Sequence, residues 1–185
     1  MANHMECYVK VENLTQEGTD LLRKILEPAG DDCQVYTDEL LERLYGATEE
    51  QFEERKYRID NIGAKWVAAN LEYLEDGEAE ISSTSAWSVP YQMYLRLVEL
   101  LVEVSPDVLL TGTYEDEGYD PCGAFIIANN YDDIEDVFGT DDVDYDKLWE
   151  NDDYRDSISD ELNKEVRHMR SAYFEYLQEI KEENS

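Results

Sequence analysis

Basic side chains are scarce in this sequence. The chain of 185 residues has 15 Lys and Arg against 46 Asp and Glu, a formal net charge of −31 at neutral pH. A small soluble domain usually carries a net charge of magnitude about 2–8, so this surface repels itself. It also repels nucleic acids and anionic membranes, which carry the same sign. We therefore expect basic partners: the nucleic-acid-binding groove of another protein, or cations.

Histidine and cysteine are also rare, which disfavours several kinds of site. His4 and His168 fall in a terminal segment and a predicted helix, and neither is expected to be a catalytic base. Cys7, Cys33 and Cys122 are widely spaced, so we expect no disulfide framework and no zinc site, and we favour a reducing cytosol. The motifs of P-loop, Rossmann, hydrolase and zinc-protease sites are missing. We predict a protein that is not an enzyme and that has no cofactor.

Long apolar runs are missing as well. No segment approaches the ~20 apolar residues of a membrane span. The segment MANHMECYVK lacks the basic and apolar regions of a signal peptide, and we expect a cytoplasmic protein. Hydrophobic residues still make up 42% of the chain, enough for the core of one domain with additions.

Hydrophobic periodicity predicts strands and helices in alternation. Residues 5–13 alternate as a strand, and a helix capped by Thr15 follows. Thr37 is a candidate cap, and Thr48 with Gln51 has capping-box spacing, which predicts a helical insertion at about residues 37–60.

The Asp-Gly pair at 76–77 predicts a hairpin, with Val67, Ala69, Leu71 and Tyr73 on one face of its first strand. A helix after Pro90, strands DVLLTGTYED and GAFIIANN, and a final helix capped by Ser157 or Ser159 complete the chain.

The order of these elements predicts a fold class. Strand, helix, strand, hairpin strand, helix, strand is the order of a ferredoxin-like split βαβ sandwich, an α+β fold. We expect an antiparallel sheet of about four to five strands with helices on one face. Residues 1–130 would form this domain, and residues 131–185 an acidic segment and a C-terminal helix packing on it.

Several short motifs resemble a known family. Gly63, Lys65 and Trp66, then Trp87 and Pro90, then an acidic, glycine-containing turn resemble the YubB-like ferredoxin-like domain family, over roughly residues 59–130. That resemblance implies the same fold and a plasmid or phage origin. The family has no known activity, so the resemblance implies no catalytic residues.

The segment after residue 130 is unusually acidic. Residues 131–160 hold 13 acidic residues against Lys147 and Arg155, yet keep enough apolar residues to pack. Many tyrosines stand beside acids; tyrosine supplies rigid contact area, while the carboxylates supply charge at phosphate-like density. We predict partner contacts in the turn 114–120 and in this segment, through Glu115, Asp116, Glu117, Asp120, Asp132, Asp133, Glu135, Asp136, Asp141, Asp142, Asp144, Tyr145, Asp146, Asp152 and Asp153.

Two other constellations in the sequence suggest binding sites. Asp142, Asp144, Asp146, Glu150 and Asp153 have the spacing of a calcium loop, but Lys147 occupies the position that requires glycine. We predict no dedicated metal site, and incidental cation binding stays open. Lys65, Trp66 and Trp87 could form a stacking site, but core anchoring is the expectation for both tryptophans.

The function that these patterns favour is an interaction. We predict an acidic protein from a mobile element that mimics nucleic acid and inhibits a host defence system, such as a restriction enzyme or a CRISPR effector. The alternative is a ferredoxin-like domain whose acidity adapts it to a salt-rich cytoplasm, with an unassigned enzymatic or small-ligand role. A homodimer is left open.

Overall fold

Seven antiparallel strands form one sheet in the computed structural model, which describes residues 3–28, 33–117, 121–139 and 142–183. The strands are β1 (His4–Glu12), β2 (Val35–Tyr36), β3 (Val67–Glu75), β4 (Glu78–Ala86), β5 (Leu109–Asp116), β6 (Cys122–Ala128) and β7 (Tyr131–Phe138). Their spatial order is β2-β3-β4-β1-β5-β6-β7. The helices are α1 (Gln16–Leu26), α2 (Thr37–Tyr45), α3 (Glu49–Phe52), α4 (Arg55–Ile62), α5 (Tyr91–Val102), α6 (Tyr145–Glu150) and α7 (Asp152–Glu183).

The size of the sheet differs from the prediction. An α+β fold with an antiparallel sheet and a C-terminal helix is confirmed, but the expected four to five strands are wrong, because β2 and β7 extend the sheet at its two edges. The predicted boundary after residue 130 falls in the turn between β6 and β7, and this division of the chain stays a prediction. The helices of the predicted sandwich, α1 and α5, do lie on one face of the sheet, and the C-terminal helix α7 packs on the opposite face.

Local signals in the sequence placed most of the turns and caps. Asp76 and Gly77 both have positive φ, 52° and 83°, as the predicted two-residue hairpin requires. Thr15 caps α1 by accepting a hydrogen bond from the backbone of Gly18, and the capping box of Thr48 with Gln51 is present.

Two local predictions at β3 and the helix beside it were wrong. Thr37 does not cap α2; it is the first residue of the helix, and its hydroxyl bonds the backbone N–H and C=O of Val67. A register shift between Leu71 and Tyr73 then breaks the predicted alternation of β3, so Tyr73 is exposed.

The larger core lies between the sheet and helices α1, α2, α4 and α5. Alternate residues of β1 point into it, and Phe125 of β6 lies against Tyr94 of α5, with ring centroids 5.3 Å apart. A fully buried side chain of this size stabilises the fold by roughly 1.5–3 kcal/mol. These contacts fix the central strands, which carry β6 and β7 at one side of the sheet.

A second core lies beneath α7, on the other face of the sheet. Met169 and Tyr173 pack on Leu109, Ala124 and Ile126 of β5 and β6. Arg170 also forms an ion pair with Glu12 of β1. The helix therefore covers β5 and β6 on this face, so that β6 is packed on both of its faces.

The start of α7 lies earlier than the sequence suggested. Neither Ser157 nor Ser159 caps it; the helix begins at Asp152, and the side chain of Asn151 accepts a hydrogen bond from the backbone of Tyr154. Among the helices in the described segments, none has both the length and the hydrophobicity that crossing a bilayer requires.

The close approach of β6 and β7 gives a stability prediction. A methyl group on Gly123 would overlap the backbone carbonyl of Glu135 and the ring of Tyr114. We expect Gly123→Ala to lower the free energy of unfolding by about 1–3 kcal/mol, the usual cost of overpacking. Gly139→Ala is the matched control, because the nearest atom to its methyl group among the described residues is 3.6 Å away. Urea denaturation measures both; equal stability of the two variants would contradict this packing.

Candidate functional site

The strand β7 carries four of the predicted acids within five consecutive residues. Residues 132–136 are all exposed, and four of the five are acidic: Asp132, Asp133, Glu135 and Asp136. Since a strand rises about 3.4 Å per residue, these four carboxylates occupy about 14 Å of strand, a mean spacing of about 4–5 Å. One strand of DNA carries a phosphate every 3.4 Å or so along the helix axis. We call residues 131–138 the acidic edge strand.

Two tyrosines hold one face of the acidic edge strand. The hydroxyl of Tyr91 donates to Asp132 at 3.0 Å, and the hydroxyl of Tyr114 donates to Asp136. Burial, and then the neighbouring carboxylates, raise the pKa of both tyrosines well above their ordinary value. The tyrosines therefore stay neutral donors at neutral pH, and they orient Asp132 and Asp136 without cancelling their charge. Asp133 and Glu135 point to the other face of the strand.

A second acidic row runs along the beginning of α7. Asp152, Asp156 and Asp160 recur every four residues and are exposed, so they lie about 6 Å apart along the helix. Arg155 pairs with Asp152. Ile158 of the same helix packs with Phe138 of the acidic edge strand in one apolar cluster. The beginning of α7 and the end of the acidic edge strand therefore pack against each other.

The predicted acids of the turn after β5 do not form a uniform surface. Glu117 is exposed and lies 3.9 Å from the ring of His4. Glu115 is half-buried, and Asp116 is only 7% exposed, so little of its carboxylate is open to a partner. Asp120 lies outside the described residues.

The loop before α7 uses its acids for local structure. Asp142 accepts a hydrogen bond from the backbone of Gly139, and Asp144 caps α6 and pairs with Lys147. Asp153 is exposed at the start of α7. Because α6 begins at Tyr145, helical backbone replaces the loop that a calcium site needs. Within the described residues, no group of three His, Cys, Asp or Glu side chains could hold a metal ion.

Two of the predicted residues of this loop are described only in part. Asp141 lies outside the described residues. For Tyr145 and Asp146 the description covers only the helical backbone.

Trp87 corrects the expectation that the tryptophans anchor the core. It is 49% exposed and has a φ of 69°, a left-handed conformation that bulky residues rarely adopt. The Nζ of Lys65 lies 5.0 Å from the ring centroid, and the guanidinium carbon of Arg55 lies 5.6 Å from it. Two basic residues close to Arg55 in the chain are paired elsewhere, Lys56 with Asp60 and Arg58 with Asp38.

Sequence reasoning missed three parts of this surface. Asp156 and Asp160 continue the row of Asp152, and their four-residue spacing would have shown this if the start of α7 had been placed correctly. The exposed Ile134 lies in the middle of the acidic edge strand. The approach of Arg55 to Trp87 joins residues far apart in the chain, and no local pattern indicates it.

Comparisons with known proteins found no match for this chain among family models, curated proteins or solved structures. The resemblance to the YubB-like family stays a prediction.

The buried tyrosines give a pH prediction. An unfolded tyrosine loses its proton near pH 10, whereas folded Tyr114 keeps it to higher pH. Its contribution to stability is therefore complete below about pH 10 and is lost as the pH rises towards its folded pKa. We expect the free energy of unfolding to fall more steeply between pH 9 and 11 in the wild type than in Tyr114→Phe. Urea unfolding measures this, with the exposed Tyr36→Phe as control; identical slopes in all three proteins would refute the assignment.

Proposed function

We propose that this protein is a non-enzymatic nucleic-acid mimic, which presents carboxylates to the DNA- or RNA-binding groove of a basic partner protein. The single observation that carries the proposal is the row of carboxylates on the acidic edge strand. Its linear charge density, four charges in about 14 Å of strand, is comparable to that of one DNA strand, which carries a phosphate about every 3.4 Å. A groove that binds phosphates through Lys and Arg would accept such a row.

The geometry of the two acidic rows supports the same proposal. Asp132 and Asp136 are oriented by tyrosine hydroxyls, and the row on α7 is held in place by the rigid helix. Side chains positioned in advance lose little conformational entropy on binding, which favours affinity. An unstructured acidic tail would lack this advantage.

The biological setting that we propose is inhibition of a host defence system. Restriction enzymes and CRISPR effectors bind DNA or RNA in basic grooves, and a mobile element benefits when those grooves are blocked. The plasmid or phage origin rests on the resemblance of Lys65, Trp66, Trp87 and their neighbours to the YubB-like family. We also propose the ferredoxin-like class for β1, α1, β3, β4, α5 and β5, because the four strands lie in the order β3-β4-β1-β5.

Neutralising the acidic edge strand tests the proposal. The variant Asp132→Asn/Asp133→Asn/Glu135→Gln/Asp136→Asn loses four charges from the row. We expect its affinity for a sensitive nuclease to fall about tenfold or more, since each exposed charge contact contributes roughly 0.2–1 kcal/mol. The measurement is displacement of labelled DNA from purified restriction endonucleases and CRISPR effectors at several salt concentrations.

The matched control loses the same number of charges elsewhere. Glu49, Glu50, Glu53 and Glu54 are exposed in and beside α3, and changing all four to Gln alters the net charge equally. We expect this control to compete with DNA nearly as well as the wild type. Equal losses in the two variants would contradict a specific surface, and a wild type that displaces DNA from none of these proteins would contradict mimicry.

A further inference from the structure

The two edges of the sheet differ in length. At one edge, β2 has two residues, and a strand this short offers little backbone for pairing. At the other edge, the acidic edge strand has eight residues and is paired only with β6 among the described strands. Antiparallel pairing directs alternate backbone N–H and C=O groups towards β6, so the others face outward. The sheet can therefore be extended at β7.

The acidic edge strand is protected against pairing with some strands and remains open to others. Edge strands are usually blocked by Pro, by Lys, by a bulge or by a covering element. Residues 131–138 contain neither Pro nor Lys, and the only register shift lies at the last pair, between Cys122 and Gly123. What protects the edge is charge of one sign. A second copy of β7 would place carboxylates opposite carboxylates, whereas a basic strand would form favourable cross-strand pairs.

Two clefts on the α5 side of the sheet lie along the same edge. One, of about 340 Å³, is lined near Asp132 by Leu95, Val98 and Val102. The other, also of about 340 Å³, is lined by Trp87, Val89 and Ile134. Ile134 is 40% exposed. These clefts can take apolar side chains from a strand added beside β7.

The two faces of the acidic edge strand differ in what surrounds their acids: Asp132 and Asp136 lie beside the clefts and accept hydrogen bonds from Tyr91 and Tyr114. Asp133 and Glu135 point to the other side and are exposed. In a strand, successive side chains point to opposite faces. A strand that fits both faces alternates apolar residues, directed to the clefts, with Lys or Arg, directed to Asp133 and Glu135.

We propose that β7 binds an extended segment of the partner protein, alternating basic and apolar residues, as an eighth strand of the sheet. The proposal rests on the proposed function for the basic character of the partner, and it adds the mode of binding. Backbone hydrogen bonds supply affinity, while the clefts and carboxylates select the sequence. A basic groove in a nuclease would then be engaged through one of its edge strands or extended loops.

Synthetic peptides test strand addition separately from charge attraction. The probe is acetyl-Lys-Val-Lys-Val-Lys-Val-Lys-amide with a fluorescent label, and two further peptides carry backbone N-methyl groups on the Val or on the Lys residues. All three peptides have the same charge. Each methylated peptide, however, loses only the N–H donors that lie along one of its own two edges. We expect one methylated peptide to bind at least tenfold more weakly than the parent, and the other to bind within about threefold of it.

Variants of the protein complete the test. Asp133→Asn/Glu135→Gln should weaken binding of the parent peptide at least fivefold more than the control Glu49→Gln/Glu50→Gln. Equal affinity of the three peptides, or no binding of the parent, would overturn strand addition and leave nucleic-acid mimicry standing. Peptide binding without any displacement of DNA from nucleases would instead overturn the mimicry and keep the strand site.

Discussion

The structure depends on the burial of β6 between two layers of helices. All seven residues of this strand are buried; Phe125 and Ile127 face the core of α1 and α5, while Ala124 and Ile126 face α7. A chain with a net charge of −31 destabilises its own compact state by self-repulsion, so it needs apolar contacts of this kind. Because β6 is packed on both of its faces, the strand paired to it can carry four acidic residues among its eight and still be ordered.

This arrangement bears on why the chain is so acidic. Adaptation to a salt-rich cytoplasm needs acids on the surface but no particular order among them, and acids such as Glu49 and Glu53 are spread over the helical insertion. The acidic edge strand differs because its charges lie on an open backbone edge beside apolar clefts and are oriented by Tyr91 and Tyr114. Such an arrangement favours recognition of a partner over solvation alone.

The sequence predicted those features that depend on local chemistry. The Asp76-Gly77 turn, the capping box at Thr48 and the start of a helix after Pro90 each follow from a few neighbouring residues. The acidic edge strand was missed because its five consecutive exposed residues show no alternation of buried and exposed side chains. Only the pairing with β6 makes them a strand. The exposure of Trp87 depends on distant residues and was equally hidden.

The central claim is that a basic protein binds the open edge of β7, and amide hydrogen exchange tests it most directly. With a nuclease that the protein inhibits, we expect exchange to slow at alternate amides of residues 131–138 when the complex forms, because these donate to the added strand. Exchange at α3 should not change. Unchanged exchange in β7, with protection appearing on another part of the surface, would contradict the account.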